Sequence, residues 1–427
     1  MWRQFGMIRF MAFWMLLQLP GLPSIPAAAV ADGERKTHFR MPTDSRPRGC
    51  PKDVSTDLSN YTVSIIIPWH MEKWEHLRDT MEALLHFTND ELVKEYIFLS
   101  DGNPNDRKTE LKAMSPKVKV FASEKRMGLI RTKNFGAKKA TAPVLMFMEG
   151  HCIVNRLWLE PLLQRLLRDP RALVMPALDY IPQTAWGEYH QGVPTMWRYE
   201  WNMNLIHTNP GNIIKFERTK PYESPGTSGG IFVMMRSWFE ELEFFDEGMM
   251  EWGGDHAELS FKTWRCGGRI EVVPCSRIGH LFRDPEHRPY PVDVNRVVKN
   301  YDRLAQIWWK DHYSYFRRMK PESEGMKHKG LEKVQESYAN LQKKLNCKDH
   351  QWYMENVDFE MNWEKDRLCH PHWGPGHPDH CKNALSHGKF TVAQGDDMPP
   401  KLYLQVLRKA LAEKRNRGPT RNATDEL

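Results

Sequence analysis

Two rhythms of apolar and polar positions alternate along the first half of the chain. Val63, Ile65, Ile66 and Ile67 form a short β-branched run of the kind a strand buried on both faces requires. Similar runs recur at Tyr96-Ile97-Phe98-Leu99, at residues 118–121 and at residues 144–148. Between them the spacing changes to that of a helix with one apolar face. Trp74, Leu77, Met81, Leu84 and Leu85 make the first such face. Residues 129–140 make a second, ended by Pro143, and Trp158, Leu159, Leu162, Leu163, Leu166 and Leu167 mark a third. Strands alternating with helices predict a parallel α/β sheet flanked by helices. Residues 172–300, rich in glycine and proline, predict mixed sheet and loops continuing the same domain. Residues 294–345 read as helical and strongly charged, and the chain beyond Cys347 as loop. No internal repeat is visible.

Ligands of such sheets bind beyond the carboxyl ends of the strands. Trp69-His70 follows the first strand, Asp101-Gly102 the second and Glu149-Gly150-His151 the fourth. Acidic and imidazole groups therefore converge, and a binding cleft is the economical explanation. Glu149 and His151 are two apart and point to one side if the strand continues. A carboxylate beside an imidazole suits Mn²⁺ or a similar divalent ion, which keeps sites open for phosphate oxygens. His280, after the run at 270–274, can bring a distant imidazole to the same ion. Gly229-Gly230 allows close backbone approach to a ligand or a tight turn. Trp252-Gly253-Gly254-Asp255 either holds hydroxyl groups or begins a helix with acidic residues near its N-terminus.

Composition narrows the class. Of 427 residues, 41% are apolar and 11% aromatic, which marks a globular chain, and a formal charge of +7 is mild at this length. Basic residues are scattered except near 401–421, so nucleic acid is not an expected partner. Residues 10–31 carry no charge, follow Arg3 and Arg9, and end in Ala27-Ala28-Ala29-Val30-Ala31. That pattern reads as a signal peptide or a signal anchor, and either places the body in the secretory lumen. Residues 32–60, polar with three prolines, read as a stem. Seven cysteines suit an oxidising lumen, and their odd number leaves at least one unpaired within the chain. Cys369 and Cys381 bracket a proline- and histidine-rich stretch that closes as a disulfide or holds zinc. Asn60-Tyr61-Thr62 and Asn422-Ala423-Thr424 are acceptor patterns for N-glycosylation.

In combination, from about Tyr61 to Val357, these stretches resemble the polypeptide N-acetylgalactosaminyltransferases, which begin mucin-type O-glycosylation. The likeness is densest in Trp252-Gly253-Gly254-Asp255, Trp264-Arg265-Cys266-Gly267-Gly268 and Pro274-Cys275-Ser276-Arg277-Ile278-Gly279-His280-Leu281-Phe282-Arg283. Gly128-Leu129-Ile130-Arg131 and the stretch around Trp158 strengthen it. The resemblance implies a single GT-A catalytic domain at 61–357 and UDP-N-acetylgalactosamine as donor. It also implies Mn²⁺, a Ser/Thr hydroxyl of a protein as acceptor, and type II Golgi anchoring. Its metal ligands fall on Glu149, His151 and His280. Uridine and diphosphate contacts fall on His70, Asp101 and Arg126, with loop residues Arg283 and Tyr290 near the diphosphate, and Gly229 and Gly230 are counted with the cofactor-binding positions. Asp255, Trp252 and Arg283 carry the catalytic positions. The implied disulfides are Cys50–Cys275 and Cys266–Cys347, leaving Cys152 free.

Three positions depart from the family pattern. Glu149 stands where the family has aspartate. Asp255 replaces a glutamate, next to His256 in place of asparagine. The aromatic acceptor segment is kept only loosely, around Trp197-Arg198-Tyr199-Glu200-Trp201. Residues 358–427 read as a loop-rich tail without the family's ricin-like lectin domain. The substitutions raise two alternatives to active transfer: an impaired homologue that binds UDP-sugar or a partner, and a GT-A transferase for another UDP-sugar.

Overall fold

The computed structural model describes residues 37–361. Its centre is one twisted sheet built by β1 (Val63–Trp69), β2 (Val93–Asp101), β3 (Val118–Ser123), β4 (Val144–Phe147), β5 (Cys152–Val154) and β6 (Ala172–Ile181). β7 (Met196–Tyr199) and β8 (Leu205–Thr208) form a separate hairpin, and β9 (Tyr222–Glu223), β10 (Phe232–Met235) and β11 (Arg269–Leu281) return to the sheet. The helices are α1 (Trp74–Phe87), α2 (Lys108–Met114), α3 (Leu129–Lys139), α4 (Glu160–Arg168), α5 (Arg236–Glu241) and α6 (Asp255–Arg265). They continue with α7 (Val294–Trp308), α8 (Tyr313–Met319), α9 (Leu331–Lys344) and α10 (His350–Asn356).

The sheet order is β3-β2-β1-β4-β10-β6-β11-β5, with β9 beside β11. β3, β2, β1 and β4 run parallel, as do β6 and β11, while β10 is antiparallel to both its neighbours. The mixed, mainly parallel sheet flanked by helices is the GT-A architecture expected from the sequence. Chain order reverses between β1 and β4, the place where such sheets open a crevice for ligands.

Every residue of β1 is buried. Ile65 and Ile67 enter one core with Leu77, Met81 and Trp158, and Ile66 enters the other with Phe147 and Trp238. Alternation along the strand thus feeds two cores from one run. Fully burying each of these isoleucines contributes about 1.5–3 kcal/mol, and the one polar side chain of the run, the buried Ser64, donates its hydroxyl to Glu95 at 2.7 Å.

Four details differ from the sequence reading. α3 ends at Lys139 with Ala140 as its cap, before Pro143. α4 begins only at Glu160, and Leu167 is 42% exposed rather than part of the buried face. Within residues 348–361 the chain is not all loop: Asp349 Oδ1 accepts the Trp352 amide at 2.7 Å and starts α10, which buries His350, Tyr353 and Met354. Past it, Arg198 holds Asp358 at 3.1 Å and the Trp201 indole donates to the Met361 carbonyl at 3.1 Å. A single turn pair with a histidine and a tyrosine on its apolar face is too short and too polar to stand out as periodicity. Finally, the polar stretch before Tyr61 is tied down from Thr37 onward. Phe39 and Leu58 are buried, and Ser45 donates to Asp179 at 2.5 Å.

Cys50 is bonded to Cys275 and Cys266 to Cys347, with Cys152 free and buried. The expected signal peptide or anchor at residues 1–31, the Cys369–Cys381 stretch and Asn422 lie outside the described residues. Among the described residues no helix is long and apolar enough to cross a membrane.

Candidate metal centre

A cleft of about 490 Å³ opens at the carboxyl ends of β1, β2 and β4. A second chamber of about 390 Å³ adjoins it, and Glu149, Gly230, Ser228 and Trp252 line both. Glu149 and His151 do converge there, but not because a strand continues. β4 stops at Phe147, and a turn at Gly150-His151 precedes β5. Across the ladder His280 of β11 pairs directly with Cys152 of β5, which sets it one residue from His151.

Glu149 Oε2 lies 3.0 Å from His151 Nε2 and 2.6 Å from His280 Nε2. One ligand atom from each of the three falls within 4.8 Å of the others. Burial opposes charge on Glu149, yet the hydrogen bonds from His151 and His280 hold its carboxyl well below the usual range. On His151 burial again opposes charge, but the carboxylates of Glu72 and Glu149 outweigh it and raise the pKa to about 9. His280 shifts down, chiefly through burial. A carboxylate and two imidazole nitrogens aimed at one point form a donor set that fits a divalent ion such as Mn²⁺.

Gly230 makes room for Glu149. A Cβ there would lie 2.7 Å from Glu149 Oε1, closer than real contacts allow. Gly229 takes φ +81, and its Cβ would meet His256 Cβ at 2.5 Å. The two glycines serve different ends, Gly230 leaving space for the Glu149 carboxylate and Gly229 adopting a left-handed backbone.

Beside the triad is an aromatic and basic corner. His70 Nδ1 donates to the Asp101 carbonyl across 2.6 Å, and its ring meets Tyr290 edge-on at 5.0 Å. The Arg126 guanidinium lies 4.6 Å from the Tyr290 ring centre. The Asp101 carboxylate accepts the amides of Met127 and Gly128 at 2.5 and 2.9 Å, so it shapes the loop that presents Arg126.

Trp252 sits on a loop clamped by Asn300, which donates to the carbonyls of Met250, Trp252 and Gly253 and accepts the Met250 amide. Asp255 lines the inner chamber and is the first residue of α6, so the stretch does begin a helix with an acidic residue at its N-terminus. Its carboxylate accepts from Lys133 Nζ at 2.8 Å, and against the effect of burial Lys133 keeps it well below the usual carboxylate range. Trp197 lines the cleft from β7, its ring edge-on to His207 at 5.8 Å, whereas Tyr199 and Trp201 are buried.

One residue escaped the sequence reading. Glu72 accepts from Arg283 Nη1 and Nη2 at 2.9 and 2.6 Å, and from His151 and His76 at 2.8 and 2.6 Å. Arg283 therefore reaches the cleft wall through a carboxylate behind the triad. The available signal was position: Glu72 comes two residues after His70, at the same strand end as the other candidates.

Residues 64–243 match glycosyl transferase family 2, and residues 214–287 match the N-terminal domain of galactosyltransferase. Human polypeptide N-acetylgalactosaminyltransferase 10 is 35% identical over 305 residues, 70% of this chain and 50% of that protein. The chain thus spans about half the length of that relative. The inactive polypeptide N-acetylgalactosaminyltransferase-like protein 5 of Macaca fascicularis is 33% identical over 317 residues, 72% of this chain and 70% of that protein. The crystal structure of GalNAc-T7 with UDP, GalNAc and Mn²⁺ superposes with a TM-score of 0.64 at 29% identity, covering 71% of this chain and 58% of that one.

Proposed function

Since the chain belongs to the polypeptide N-acetylgalactosaminyltransferase family, we propose that it transfers N-acetylgalactosamine from UDP-N-acetylgalactosamine to serine or threonine hydroxyls of proteins. The observation that carries this reading is the convergence of Glu149, His151 and His280 between the His70–Tyr290–Arg126 corner and the Asp255 chamber. That order suits a nucleotide, a diphosphate and a sugar laid along one cleft. The GalNAc-T7 structure holds UDP, GalNAc and Mn²⁺ together, which supports the same ligands here.

Glu149, His151 and His280 would hold Mn²⁺, which neutralises charge gathering on a diphosphate leaving group. Tyr290 and His70 offer flat faces for a base, and Arg126 a positive charge beside it. Arg283 stands where it can meet phosphate oxygens. Trp252 separates the cleft from the inner chamber, where Asp255 accepts hydrogen bonds from sugar hydroxyls. With its charge committed to Lys133, Asp255 is a poor nucleophile. Transfer with retention then rests on positioning rather than on a covalent enzyme intermediate. The two disulfides favour a luminal compartment, and Golgi anchoring through the amino-terminal segment belongs to the same proposal.

A second reading is favoured by one observation: the Lys133–Asp255 pair occupies the acid of the inner chamber, and one close relative is named inactive. In that reading the chain binds UDP-sugar without turnover. The purified luminal chain, incubated with Mn²⁺, labelled UDP-sugars and Ser/Thr peptides, decides between them. Transfer of N-acetylgalactosamine supports the first reading. UDP binding by calorimetry without transfer supports the second, and transfer of another sugar alone overturns the donor assignment.

A further inference from the structure

Glu72 belongs to none of the groups expected to touch a ligand, yet it is the most heavily bonded side chain in the cleft wall. Its side chain is 5% exposed, and five nitrogens converge on its two oxygens, four from side chains and one from the Lys73 amide. Taking a carboxylate out of water costs several kcal/mol unless partners of opposite charge surround it. Arg283 grips both oxygens and supplies that opposite charge. The bond to His151 adds something that a purely structural ion pair does not need.

The backbone is bent to make that bond. Met71, between His70 and Glu72, takes φ 52, the left-handed region that a side-chain-bearing residue adopts only at a cost. Asn103 Oδ1 accepts the Met71 amide at 2.6 Å and holds the bend. The result turns Glu72 back under the cleft while Met71 itself is 45% exposed. A straight run from β1 into α1 would carry Glu72 elsewhere.

Glu72 takes the Nδ1 side of His151, and this leaves Nε2 as the nitrogen that faces Glu149 and His280. A carboxylate behind a ligating imidazole fixes ring orientation and raises the basicity of the nitrogen in front. The same Oε2 accepts from Arg283 Nη1. Glu72 thus joins the ion site to the arginine facing the diphosphate position, and a change at one end is felt at the other.

We propose that Glu72 is a positioning residue that presents His151 to the metal and couples that presentation to Arg283. The proposal rests on reading the triad as a metal site. The test uses the full chain and Mn²⁺ alone, followed by electron paramagnetic resonance, without donor or acceptor. E72Q is expected to weaken Mn²⁺ binding by about 10–100-fold, as losing such a partner usually does. E72D, which restores the charge, is expected to recover part of the loss. Equal Mn²⁺ affinity in E72Q and the parent overturns the proposal while leaving the metal reading intact. No Mn²⁺ binding by the parent overturns both. If E72Q fails to fold, the parent decides. Loaded with diamagnetic Cd²⁺ and labelled at histidine nitrogen, it should show a slowly exchanging Nδ1–H on His151. Ligation of His151 through Nδ1 refutes the assignment.

Discussion

Lys133 Nζ lies 2.8 Å from Asp255 Oδ2, and their side chains are only 2% and 4% exposed. The same ammonium donates to the Gly229 carbonyl at 2.8 Å, so one cation ties α3, the glycine pair and the start of α6 together. Removing one partner of a buried pair strands the other. K133M should therefore destabilise the fold by about 3–5 kcal/mol in urea unfolding, and K133R by much less. A K133M variant as stable as the parent would mean that the pair is not sealed from water.

Gly230 offers a cleaner probe of the metal site than its ligands do. G230A should push Glu149 aside and lower Mn²⁺ affinity by about tenfold or more, on the scale of other displaced-ligand effects, with little change in urea midpoint. G229A, by contrast, must strain a left-handed backbone and collide with His256, so it should lose stability as well. Calorimetric Mn²⁺ titration with unfolding curves separates the two.

Asn300 makes four hydrogen bonds to the Trp252 loop without touching the cleft. N300A should leave Mn²⁺ binding near the parent value. Transfer should fall by about a hundredfold, the cost of moving a positioned group by roughly 1 Å. If kcat is unchanged, the loop holds its shape without the clamp.

His350 supplies a pH signature remote from the cleft. It is packed among Trp201, Trp309 and Tyr353, and burial, reinforced by Arg265 and His312, pushes its pKa well below the ordinary value. Above the unfolded value of about 6.5 both states are neutral and stability is independent of this group. Below it only the unfolded chain takes up the proton, so stability is lost as pH falls. The slope attributable to His350 approaches about 1.4 kcal/mol per pH unit. H350F should remove that slope, and urea unfolding at pH 7.5, 6.0 and 5.0 for both proteins checks it.

Much of this was legible in the chain because strand ends carry their chemistry next to apolar runs. His70, Asp101 and Glu149 could each be found just past the end of an apolar stretch. What escaped detection depended on single backbone choices. Nothing in the letters around Glu72 announces the left-handed Met71 that aims it. The convergence of Glu149 and His151 was anticipated for the wrong reason, since a turn and not a pleat brings them together. α10 stayed hidden because its packing face uses histidine and tyrosine, whose burial is dictated by Trp201 and Phe261 from distant segments. Pairings such as Lys133 with Asp255 cross 122 positions of sequence, and no local pattern encodes them.

The ladder between β5 and β11 has a consequence beyond this chemistry. His280 faces Cys152 through main-chain pairing, so the spacing between the two imidazole anchors is a property of peptide groups that every sequence shares. The side chains are like fittings on a fixed jig. Glu149, hung from the turn beside that jig with Gly230 clearing space in front, can exchange for a shorter carboxylate while the jig stays where it is. If the triad holds an ion as proposed, changes at these three fittings would alter its grip while leaving the main-chain pairing of β5 and β11 in place.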